Sequence, residues 1–67
     1  MKINQNKLQI AMAKTGYDFG TLSKKAGISR STLSYVNNGK SCRPYVVGEL
    51  ARALSVTVEY LTEREGA

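Results

Sequence analysis

The run from Arg30 to Tyr35, RSTLSY, places one guanidinium and four hydroxyls within six residues. Short hydroxyls exchange hydrogen bonds with polar edges, and a guanidinium makes paired bonds to planar acceptors and anionic oxygens. These groups suit recognition of a polar, anionic surface better than the making of bonds. The chain has no His, one cysteine (Cys42) and no Gly-rich loop of phosphate-binding spacing, so the usual components of nucleophile–base pairs and zinc sites are lacking. Its few carboxylates lie mostly toward the C-terminal end. Neither an enzyme activity nor a cofactor or metal site is expected.

Charge is distributed in the same sense. Residues 1–43 carry eight basic side chains against Asp18 alone, a balance of 8 − 1 = +7, whereas residues 44–67 carry Arg52 and Arg64 against Glu49, Glu59, Glu63 and Glu65, a balance of 2 − 4 = −2. A polyanion would be drawn to the part that contains RSTLSY and not to the other.

To meet one partner, the polar side chains must share one side of an element, and the spacing predicts a helix over Arg30 to about Asn38. Leu33 and Val36 form its inward stripe, leaving Arg30, Ser31, Thr32, Ser34, Tyr35 and Asn38 outside. An ordinary surface helix would carry more Glu, Lys and Gln, because Ser, Thr and Asn are poorer helix formers. Ser29 is placed to cap this helix. Upstream, Asp18 is placed to cap a second one in which Leu22 and Ala26 share a face, Ser23 is small, and Lys24 and Lys25 point away. Gly27 can take the left-handed conformation that ends that helix and turns the chain, letting Ile28 insert between the two.

Further helices complete the expectation. Asn4 or Asn6 caps a first helix with Leu8, Ala11, Met12 and Thr15 at i, i+3, i+4, i+7 spacing, and Gly16 ends it. Gly39 closes the third helix, Lys40–Arg43 is a short basic loop, and Pro44 opens a fourth helix with Val46, Val47, Leu50, Ala51 and Leu54 inward. Thr57 caps a fifth carrying Val58, Tyr60 and Leu61, after which Glu63–Ala67 should fray. The alternation over Ser55–Val58 is too short for a strand, so the fold class is all-α. Sixty-seven residues bury only about 60% of their unfolded surface, which supports one domain over 1–67 with its core at about 5–62. A 42% hydrophobic content with no Trp implies an aliphatic core. The lone Cys42 cannot form an internal disulfide and reads as a small loop residue suited to a reducing cytoplasm. No apolar run approaches the roughly 20 residues of a membrane span, and MKINQNKLQI lacks a signal-peptide core.

Taken as one unit from Phe19 to Asn38, FGTLSKKAGISRSTLSYVNN has Leu22, Ala26, Ile28, Leu33 and Val36 at the buried positions of a helix-turn-helix, Ser23 at the close crossing and Gly27 at the turn. The chain resembles the lambda-repressor-like, Cro-type (XRE) family of DNA-binding domains over about residues 5–62, including the later segment VVGELARALSVTVEYL. The resemblance implies a compact five-helix bundle whose third helix enters the major groove of double-stranded DNA. It places Arg30, Ser31, Thr32, Ser34 and Tyr35 against base edges. The Phe19 amide, Asn38, Lys40 and Arg43 fall on phosphates. Many relatives have Gln where Phe19 stands, so only the amide contact carries over; many also pair an Arg with a Glu where this chain has Met12 and Asn37, and both charges are absent together. A homodimer is expected, with Val58, Tyr60 and Leu61 as candidate contacts. Tyr45 and Tyr60 read as packing or interface residues, and Lys24 and Lys25 chiefly as a solvated face. The family also includes antitoxins that bind a partner protein, for which acidic residues 59–65 would be the partner-facing part.

Overall fold

The computed structural model describes residues 1–62. The fraying expected of Glu63–Ala67, and most of the acidic 59–65 segment, lie outside the described residues. Five helices run in order: α1 (Gln5–Thr15), α2 (Phe19–Ala26), α3 (Arg30–Asn37), α4 (Pro44–Leu54) and α5 (Val58–Thr62), with no strand among the described residues.

Each helix begins where the sequence supplies an acceptor or a proline. Asn4 rather than Asn6 caps α1, its side-chain oxygen accepting from the Lys7 amide at 3.1 Å. Asp18 accepts from the Thr21 amide at 2.7 Å, Ser29 from Thr32 at 3.1 Å and Thr57 from Tyr60 at 3.0 Å. These satisfy amides that a helix start leaves unpaired. Arg43 makes no such side-chain bond before α4; Pro44, with its fixed φ, sets that start instead.

Gly27 ends α2 at φ 69°, with its amide on the Lys24 carbonyl and the Ile28 amide on that of Ser23. This bond pair closes the helix and turns Ile28 into the core. The Ser23 hydroxyl also donates to the Ile28 carbonyl, so serine at the close crossing both fits the space and ties the turn. The end of α4 has the same bond pair without a glycine: Ser55 sits at φ 58°, its amide on Arg52 and the Val56 amide on Ala51. A left-handed residue with a Cβ costs roughly 1–2 kcal/mol. Ser55→Gly is therefore expected to stabilise the protein by about 1 kcal/mol, seen as a higher urea midpoint with unchanged slope. A lower midpoint would contradict this account of the α4 terminus.

Helix α2 packs on α4 and α3, while α4 also meets α1 and α5 and α1 meets α5. Leu8, Leu22, Leu33, Val36, Val47, Leu50 and Leu61 are fully enclosed, so both helices of the turn unit are anchored by aliphatic side chains against the rest of the bundle. One expectation is corrected. Leu61 is 0% exposed; it fills the protomer's own core and has no surface for a dimer contact, leaving Val58 and Tyr60, which are half-buried. Tyr45, expected to serve in packing or at an interface, is 64% exposed, which leaves the interface role open to it. Ile3, outside any periodic pattern, also belongs to the core, and the next residue is pinned by an Asn4 amide bond to the Leu61 carbonyl at 2.7 Å.

Candidate nucleic-acid interface

Helix α3 has two sides of opposite chemistry. Leu33 and Val36 are wholly buried, whereas Arg30, Ser31, Ser34, Tyr35 and the following Asn38 are exposed. Those positions run i, i+1, i+4, i+5, i+8 and therefore lie along one side. Tyr35, at 54% exposure, is a ring held mostly in solvent rather than over the core edge. Thr32 is half-buried at the border, and its hydroxyl accepts from Ser29 Oγ at 2.9 Å. It is thus tied to the helix start while keeping its own proton to donate.

The start of α2 lies near the start of α3. Asp18 caps α2, and the bond from Thr21 holds its carboxyl below the ordinary carboxylate value, with the Arg30 guanidinium adding a smaller push in the same direction. Phe19 begins α2 just after Asp18, its half-buried ring packed against the core.

A depressed folded-state pKa means that the unfolded chain binds more protons, so this contribution is complete above the ordinary carboxylate value of 3.8 and disappears as pH falls through the lower folded value. Asp18→Asn keeps a capping oxygen but cannot titrate. Its stability is expected to decline less than wild type's below about pH 4, as measured by thermal melting across pH. Parallel declines would argue against a titrating Asp18 cap.

Beyond α3, Gly39 leads into the loop from 40 to 43, where Lys40 and Arg43 are exposed and precede the exposed Tyr45. Cys42 is half-buried, and burial pushes its thiol pKa up, which keeps it protonated and unreactive near neutral pH. Lys24 and Lys25 lie exposed on α2; Lys25 Nζ stands 5.7 Å from the Tyr17 ring centre. On the other side of the bundle Lys7 Nζ stands 4.7 Å over Tyr60, joining α1 to α5. Arg52 pairs with Glu49 at 3.3 Å on α4, a solvated contact of little energetic weight.

One cluster escaped sequence reasoning. Gln5, Asn6, Gln9, Asn37 and Asn38 line a polar hollow between α1 and the end of α3, and the Gln5 side-chain amide donates to the Asn37 carbonyl. Met12 packs against the core from the same helix. The chain thus joins α1 to the end of α3 through a neutral side-chain amide on a main-chain carbonyl. Gln5 and Asn37 are 32 positions apart in the sequence, so no local spacing could have grouped the five residues.

The exposed polar side of α3, the capped start of α2 and the basic loop after α3 are set by a two-helix unit with a glycine turn. A family model described as Cro/C1-type HTH DNA-binding domain matches residues 7–66. No curated protein matches the chain.

Proposed function

The chain belongs to the Cro/C1-type helix-turn-helix DNA-binding domains, and from that membership we propose that it is a small transcriptional repressor of phage or mobile-element type, a single domain acting in the cytoplasm as a homodimer on a palindromic operator. The observation that carries this reading is the exposed side of α3, where Arg30, Ser31, Ser34 and Tyr35 lie together with Thr32 at their border. In the major groove these side chains read base edges, with Arg30 forking onto a guanine and Tyr35 packing on a thymine methyl or reaching a phosphate. The Phe19 amide, Asn38, Lys40 and Arg43 hold the phosphates on either side of that groove. One protomer reads only a few base pairs. Pairing through α4 and α5, with the half-buried Val58 and Tyr60 as contacts, would set two α3 helices about one helical turn apart.

Selection of bound duplexes from a random DNA pool tests the proposal. A palindromic consensus is expected, occupied by two protomers in ultracentrifugation. Four cationic phosphate contacts, Lys40 and Arg43 from each protomer, predict a log–log salt slope at least as steep as about −3.6, so that binding is weaker by at least roughly a hundredfold at 200 mM than at 50 mM salt. No enrichment of any sequence would move the weight to a protein-binding role such as that of an antitoxin.

A further inference from the structure

The first residues of the chain are laid across the basic loop. The Met1 terminal ammonium donates to the Cys42 carbonyl at 2.9 Å and reaches Ser41 Oγ at 3.4 Å, while the Cys42 amide donates back to the Met1 carbonyl at 2.6 Å. Two residues that exchange both main-chain bonds form the unit of antiparallel pairing. Continuing that register sets Lys2 opposite Ser41, between Lys40 and Arg43 along the loop. The segment is held at its other end by the buried Ile3 and by the Asn4 amide on the Leu61 carbonyl. Lys2 is exposed while its neighbour Ile3 is buried, so the Lys2 side chain stays in solvent as Ile3 anchors the segment.

From this pairing we propose that residues 1–3 form a strap belonging to the DNA interface. The strap holds the Lys40–Arg43 loop in place and adds the Lys2 side chain to those of Lys40 and Arg43 as a contact for the phosphate backbone. A loop of four residues between helices loses conformational freedom when it meets DNA, and main-chain bonds made beforehand reduce that loss. The strap also ties the loop to α5, the element placed above at the dimer contact. The inference rests on the DNA-binding reading of the previous section.

Two measurements test it. Amide exchange in the free protein should show the Cys42 N–H protected, since its acceptor is the Met1 carbonyl; exchange at the rate of an open amide would overturn the strap whatever the protein binds. Binding of wild type and Lys2→Gln to a mixed-sequence duplex is then compared across salt concentrations. Lys2→Gln is expected to melt like wild type and to bind every sequence more weakly, with the salt slope shallower by about 0.9 per bound protomer. A steep wild-type slope left unchanged in Lys2→Gln would overturn the role of Lys2 and leave the DNA reading standing. If wild type itself shows no salt-dependent binding to any duplex, both proposals are overturned together.

Discussion

Leu33→Ala is expected to leave much of the protein unfolded at 25 °C and to abolish DNA binding along with the fold. Leu33 is 0% exposed in the middle of α3, enclosed with Leu22, Val36 and the α4 side chains in one core. Removing a buried leucine side chain costs about 2–5 kcal/mol, the transfer term plus the cavity left behind. A chain below about 70 residues rarely has more than about 3–5 kcal/mol in total. The loss is therefore comparable to the whole stability, and near-complete loss of helical circular dichroism on mild heating is the expected readout. Ser34→Ala, one position along on the exposed side, is the matched control: alanine is the better helix former, so melting should hold or rise while binding changes. If Leu33→Ala melted within a few degrees of wild type, the placement of α3 on the core would be wrong.

Arg30→Ala is expected to remove about 1–3 kcal/mol of discrimination at one base position in each half-site, without lowering the melting temperature. The guanidinium is exposed at the first position of α3, so its loss opens no cavity. Arg30→Lys separates geometry from charge. The ammonium retains the positive charge beside Asp18 but has no planar fork, so a bidentate base contact would be lost almost as fully as with alanine. Binding measured against duplexes varied one position at a time gives the answer. A loss confined to one position supports base readout; a uniform loss with a salt slope shallower by about one per contact would make Arg30 a phosphate contact instead.

Much of the helix-turn-helix was legible from local residues. Asp18, Ser29 and Thr57 cap the helices expected of them, Gly27 makes the turn, and Leu22, Ala26, Ile28, Leu33 and Val36 are buried as their spacing implied. The same periodicity left Arg30, Ser31, Ser34 and Tyr35 outside. Where the expectation was ambiguous, distance decided: Asn4 is the residue three before Lys7, and its side chain takes that amide. Residues whose surroundings come from elsewhere in the chain were less legible. Leu61 and Tyr45 are apolar or aromatic residues on short amphipathic stretches, and pattern alone cannot say whether the side they occupy is covered: Leu61 is, and Tyr45 is not. Ser55 takes a conformation that its type disfavours because the docking of α5 after α4 requires the turn, and the bonds to Ala51 and Arg52 hold it there.

By itself, then, the amino-acid sequence determined the helices, their caps, the glycine turn and which side of α3 is polar, because those features rest on contacts within about one or two turns of chain and on a period of 3.6 residues. The tertiary structure alone decided that Leu61 faces inward, that Lys7 covers Tyr60, that the Gln5 side chain reaches the Asn37 carbonyl, and that Met1 pairs with Cys42 forty-one positions away. Each of these joins residues far apart in sequence, and such contacts leave no mark in local spacing. They form only once the packed helices have brought the segments together.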